Sequence, residues 1–221
     1  MAARRLLGVV KGFVVWLVVF IPSAIASSVV YAISHNAILS VAIIELLFVV
    51  LSITVVKFAL KPEDNIIGFR IIGFTKIFTV FLLSTLLAIL IAYVELHTAP
   101  AGRYSFPIPG VEEQGAMYFI LAFALAPVGE ETLFRGLFLG YMLENDVNPW
   151  MAITISALLF SLIHLMPFST APLIQRTYII GTAFIMSMIA GCCRKRMGSL
   201  LPAIATHVGF NLGGFISPFL P

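Results

Sequence analysis

The chain is 221 residues long, 61% hydrophobic and only 10% charged, with a mean hydropathy of +1.09. Soluble domains are about one-quarter charged, and no polar stretch here reaches about 20 residues, so a soluble enzyme or an appended soluble domain is excluded. The formal charge of +3 and pI near 9.0 therefore point to membrane topology rather than to nucleic acid, and no nucleic-acid partner is expected.

Apolar windows long enough to span a bilayer lie at about 12–33, 38–60, 74–96, 115–142, 150–167, 177–193 and 199–220. Short alternating strands, which a barrel would need, are missing. The expected fold is an all-α polytopic membrane protein, a bundle of about seven transmembrane helices, with eight as the upper bound. The chain reads as one transmembrane domain over 1–221, with a three-helix part at 1–96 and the chemistry-bearing helices at 115–215.

The first window follows Arg4-Arg5 and ends at Ala24-Ile25-Ala26, imitating a secretory signal, but a retained anchor fits the topology better. Turn chemistry separates the windows at Ser34-His35-Asn36, Lys61-Pro62-Glu63-Asp64-Asn65, Glu144-Asn145-Asp146-Val147-Asn148-Pro149 and Ser169-Thr170-Ala171-Pro172. The longest break, 97–114, holds Pro100, Pro107 and Pro109 and reads as an ordered extramembrane loop. Adjacent Cys192 and Cys193 cannot supply a disulfide framework and read as small core residues beside the basic run Arg194-Lys195-Arg196. A cytoplasmic N-terminus puts Arg4, Arg5, Lys11, Lys57, Lys61, Arg70, Lys76, Arg194, Lys195 and Arg196 inside, and only Arg103 and Arg176 outside.

Charged side chains in the middle of a span are expensive and default to function. Glu130, Glu131 and Arg135 stand in the fourth window, just after Pro127 and Gly129. Glu131 and Arg135 are i,i+4 neighbours suited to an ion pair. Such a pair can simply pin helices together, but it leaves Glu130, about 100° around the helix, free to face a cavity. Pro127 frees a backbone carbonyl and allows a kink at this depth. His164 follows Phe160 by four residues in the fifth window, where a lone histidine is often a satisfied core residue; His207 and Asn211 share one face of the seventh. A carboxylate in a low-dielectric site can act as general base, a histidine beside it can orient water, and a histidine–amide pair can stabilise an oxyanion. No serine or cysteine is spaced with a base as a nucleophile would be. Counting along the helices places Glu130 about 22 Å from an outer end near Gly115, in the cytoplasmic half, and His207 about 12 Å above an inner end near Ser199. His164, about 21 Å above Trp150, then falls too far outward to meet them unless its helix is tilted or starts below the membrane. Glu45 is a further intramembrane carboxylate and a candidate cavity-lining residue; Glu95, His97 and His35 lie near outer ends and read as solvated.

Three motifs in this order, Glu-Glu-x-x-x-Arg at 130–135, Phe-x-x-x-His at 160–164 and His-x-x-x-Asn at 207–211, resemble the CPBP family (CAAX protease and bacteriocin-processing, also called Abi), which includes the type II CAAX prenyl endopeptidases. Leu133-Phe134-Arg135-Gly136 and Gly198-Ser199-Leu200-Leu201-Pro202 match its usual context, and the resemblance covers about 115–215. It implies a glutamate-dependent intramembrane endopeptidase in which Glu130 and His164 activate water and His207 and Asn211 form the oxyanion hole. Glu131, Arg135 and Phe160 would be supporting residues, and no cofactor would be needed. The implied partners are the lipid bilayer and a membrane-associated protein or peptide substrate, and the implied setting is the cell membrane of a bacterium or archaeon. Three other readings compete. Glu and His are acceptable zinc ligands, although His-Glu-x-x-His is absent. A non-catalytic bacteriocin-immunity or scaffold protein would not need every motif residue, and a proton-coupled transporter would show inverted repeats, which are missing.

Overall fold

The computed structural model describes residues 2–60, 65–98, 115–166 and 171–219, and every regular element within them is helical. In chain order these are α1 (Ala2–Ser34), α2 (Ala37–Ala59), α3 (Phe74–Thr98), α4 (Gly115–Glu144), α5 (Pro149–Ile163), α6 (Leu173–Met197) and α7 (Leu201–Ile216). The protein is a polytopic all-α membrane protein. The expected turn at 61–64, the proline-bearing loop over 99–114 and Ser169-Thr170 lie outside the described residues.

The helix ends follow their local chemistry. Asn36 caps α2 by accepting the Leu39 N–H at 2.9 Å, and Asn148 caps α5 by accepting from Trp150 and Met151, with Pro149 in the first turn. Gly198 ends α6 at φ +61°, a left-handed position that suits glycine. Five helices (α1, α2, α3, α4 and α6) are long and apolar enough to cross a membrane, whereas α5 and α7 have 15 and 16 residues. At 1.5 Å per residue those two fall short of a ~30 Å core, unlike the full spans expected at 150–167 and 199–220.

Helix α4 is central, with α1, α2, α5 and α7 packed on it. It is widened twice, at Leu121–Leu125 and Thr132–Phe138, where the hydrogen bonds lengthen to i→i+5: the Ala126 N–H reaches the Leu121 carbonyl, and the Leu139 N–H reaches that of Phe134. The core gathers around its second half, where Leu133, Phe134, Leu137, Phe138, Leu139 and Met142 have no exposed surface and meet Trp16 and Val19 of α1 and Phe48 of α2. Large apolar side chains such as Ile25, Phe58, Leu83 and Leu90 are exposed on the flanks, where a bilayer would cover them.

Two close approaches set the rest. The loop over 65–73 tucks beneath α4, with Ile66 and Ile67 against Gly140 and Gly136. It is held there by the buried Arg194, whose Nη2 donates to the Ile66 carbonyl at 3.0 Å, and by the Leu200 N–H on the Gly68 carbonyl at 2.8 Å. The Ser199 hydroxyl adds a hydrogen bond to the Arg70 carbonyl. Arg194 is thus a loop clamp, unlike exposed Lys195 and Arg196, with which the sequence groups it. On the other side, α7 packs on α3 through Gly209 and Gly213, the small-x-x-x-small arrangement that lets membrane helices approach closely. A Cβ at Gly213 would stand 2.7 Å from the Thr85 carbonyl oxygen, whereas one at Gly214 would meet nothing within 4 Å. Gly213→Val should therefore lower stability in detergent by about 1–3 kcal/mol through overpacking. Gly214→Val, one residue away, should leave the thermal transition unchanged, and equal melting of the two variants would contradict this packing.

Candidate active site

Four helices converge on Glu130. Glu131 and Arg135, both with no exposed surface, form the expected ion pair at 2.9 Å between Nη1 and Oε1. Arg135 also lies over the Phe160 ring, 4.4 Å from its centroid, so its guanidinium is neutralised on one side and covered by a π-face on another. His207 Nδ1 donates to Glu131 Oε1 at 3.0 Å, which ties α7 to the same carboxylate. That bond turns the other imidazole nitrogen of His207 toward Glu130, with Nε2 3.7 Å from its Oε2.

His164 comes from the end of α5. The carbonyl of Phe160 lacks a normal helical partner there, and the His164 ring supplies one, with Nδ1 donating at 2.8 Å. Its Nε2 is thereby the nitrogen left to face Glu130, at 4.0 Å from Oε2. Glu130 and His164 are the more open members, with side chains 15% and 26% exposed, while His207 is only 6% exposed.

The mismatch in depth expected for His164 does not arise, since it and His207 both face Glu130. Counted from the other ends, Glu130 lies about 21 Å from Glu144 and His164 about 22 Å from Pro149, the same height. The 30 residues of α4 extend about 45 Å, more than a ~30 Å core, so neither of its ends marks a membrane boundary. His207, only about 9 Å above Leu201, reaches this level because α7 starts inside the bundle, its preceding residues Ser199 and Leu200 fully buried on the 65–73 loop. Glu130, about equally far from Gly115 and Glu144, thus stands near the middle of α4, where His164 and His207 meet it.

Asn211 makes a contact that the sequence did not show. Its Nδ2 donates to the Ala122 carbonyl at 2.7 Å. That oxygen is orphaned twice over: the Ala126 N–H goes to Leu121 in the widened turn, and residue 127, next in line, is a proline with no N–H. One amide hydrogen of Asn211 is therefore committed to α4, and one remains to donate elsewhere.

Glu45 is buried, 4% exposed, against the turn that precedes Glu130. A Cβ at Gly129 would collide with its carboxylate and would lie 2.7 Å from its carbonyl oxygen. Gly129 serves this α2–α4 approach, a role that its place beside Pro127 did not reveal. Glu95 is not simply solvated: it accepts a hydrogen bond from Thr182 of α6 at 2.8 Å. His97 and His35 stay exposed. Among the described residues no three His, Cys, Asp or Glu side chains are disposed to hold a metal ion.

A charged cluster is thus fixed inside an apolar helical bundle, with two imidazoles facing one carboxylate. Residues 112–213 match the family described as Rce1-like, type II CAAX prenyl endopeptidase Rce1-like. The matched segment carries all three motifs and stops short of α1, α2 and α3. No curated protein and no solved structure matches the chain.

Arg135→Ala would leave Glu131 as an uncompensated buried charge and should cost about 3–5 kcal/mol of stability. Adding Glu131→Gln and using Arg135→Met should recover part of it, because the pair is then replaced by neutral groups of similar volume. Thermal unfolding of the purified variants checks both, and an Arg135→Ala protein as stable as wild type would remove the ion pair from its structural role.

Proposed function

We propose that this protein is an intramembrane endopeptidase that hydrolyses a peptide bond with a water molecule activated by Glu130 and His164. The observation that carries the reading is the position of Glu130 Oε2 between two imidazole Nε2 atoms, 4.0 Å from His164 and 3.7 Å from His207. Both separations exceed a direct hydrogen bond and suit groups that share a small molecule such as water. Glu130 takes one proton from the water while the unprotonated Nε2 of His164 orients it. The resulting hydroxide adds to the substrate carbonyl carbon, and the carbonyl oxygen becomes an oxyanion. The free amide hydrogen of Asn211 and an Nε2–H of His207 donate to that oxyanion. With the Nδ1–H held by Glu131, donation from Nε2 uses the doubly protonated ring. Collapse of the tetrahedral intermediate returns the proton from Glu130 to the leaving amine nitrogen. No covalent enzyme intermediate forms, and the chemistry asks for no cofactor.

Glu130→Gln should abolish cleavage while the protein stays inserted and melts like wild type, because an amide of the same shape cannot take the proton. More than a few per cent residual activity would remove Glu130 from the general-base role. Activity of the wild-type chain that is lost with chelator and restored by zinc would replace the glutamate mechanism with a metal one.

Asn211→Ala should lower kcat by about 10²–10³ with little change in KM, as expected for a donor that acts mainly in the transition state. A large rise in KM at unchanged kcat, read with a peptide substrate, would instead make Asn211 a substrate-binding residue.

A further inference from the structure

The basic residues mark one end of the bundle, and the fully buried stretch Glu131–Gly140 of α4 separates it from Glu130. Exposed Arg5 and Lys11 stand at the start of α1, Lys57 at the end of α2, Arg70 in the 65–73 loop, Lys76 at the start of α3, and Lys195 and Arg196 at the end of α6. These positions share a side: Gly8 and Gly12 of α1 lie against Val147 and Met142 near the end of α4, and the 65–73 loop sits on Gly136, Gly140 and Arg194. By the positive-inside rule this is the cytoplasmic end.

Between that end and Glu130 the protein is closed. Every residue of α4 from Glu131 to Gly140 is buried, with the 65–73 loop packed beneath. The partly exposed site atoms belong to Glu130, His164 and Asn211, and the α5 chain just past the site reaches Met166, which is 70% exposed. Glu130 lies near the middle of α4, about 21 Å from Glu144, so the buried turns of Glu131–Gly140 all stand between it and the basic end. One turn beyond Asn211, Phe215 packs edge-on against Phe119 of α4 at 5.1 Å and approaches Phe123 at 6.3 Å, an apolar aromatic wall on that side.

We infer that the site is served from the extracytoplasmic leaflet, and that its substrate is a membrane-anchored polypeptide cut at the translocated end of its apolar anchor. This rests on the endopeptidase reading above. An apolar segment entering that leaflet presents its scissile bond at the depth of Glu130, and the aromatic wall supplies apolar contact to the residues beside the cut. A peptide on the cytoplasmic surface would have to cross the packed second half of α4 to reach the same carboxylate.

Two measurements test this. In the full chain with Cys192→Ala and Cys193→Ala, Met166→Cys should react with a membrane-impermeant maleimide in intact spheroplasts, and Arg196→Cys only in inverted vesicles. The reverse pattern overturns the orientation and with it the inference. Second, membrane proteomes of cells carrying the wild-type chain or Glu130→Gln as the sole copy should differ in new peptide termini, all lost in the variant. Termini mapping to translocated ends of anchor segments support the inference. Termini on cytoplasmic segments overturn it while leaving the endopeptidase reading intact, and no terminus that depends on Glu130 sinks the endopeptidase reading itself.

Discussion

A fully buried carboxylate and guanidinium cannot remain ionised in a bilayer interior unless each is matched, and that constraint organises the second half of this chain. Glu131 and Arg135 meet on one helix at 2.9 Å, but neither is satisfied by its partner alone. Arg135 takes the face of Phe160 from α5, and Glu131 takes the Nδ1 of His207 from α7. One ion pair therefore fixes two neighbouring helices in rotation and height. The cost of desolvating the charges is offset by contacts that also aim an imidazole at Glu130. Structural and chemical roles are thus divided between adjacent glutamates: one is spent on neutralisation, and the other is left 15% exposed beside two imidazoles.

The irregular backbone of α4 makes that division possible. An i→i+5 turn before Pro127 strands the Ala122 carbonyl, and Asn211 answers it at 2.7 Å. A second such turn carries Arg135 and Phe134, where the Ser156 hydroxyl donates to the Phe134 carbonyl at 3.2 Å. In a membrane no water is at hand for the freed Ala122 carbonyl, so a side chain from α7 satisfies it, while Ser156 of α5 adds a second donor to a carbonyl that the Leu139 N–H already reaches. Each irregularity thus becomes an attachment point between helices. The same logic governs Gly129, Gly209 and Gly213, which have no side chain because another helix occupies that space.

The asymmetry of the bundle follows from where its short helices begin and end. Helix α7 starts high because the residues before it rest on the 65–73 loop, and α5 stops low because His164 caps its own last turn. Neither helix fills the full thickness of a membrane. Among the described residues, the partly exposed Glu130, His164 and Asn211 lie where the fully buried stretch of α4 stops.

Much of this was legible in the chain itself. Hydropathy alone determined a polytopic helical protein, since 61% hydrophobic content admits no soluble alternative. Helical periodicity paired Glu131 with Arg135 and set Glu130 apart, because i,i+4 geometry is local and survives any tertiary arrangement. The order of the three motifs pointed to the family that residues 112–213 match. Relative height was not legible, because counting residues along a helix needs an origin, and only packing shows that α7 begins inside the bundle. Nor was the role of Arg194, Gly129, Glu95 or the Ala122 carbonyl, since each acts through a partner on a segment far away in sequence. The sequence determined which groups are too polar for hydrocarbon to be there by accident; the tertiary structure decided which of them meet, because buried polar groups choose partners by proximity in space rather than along the chain.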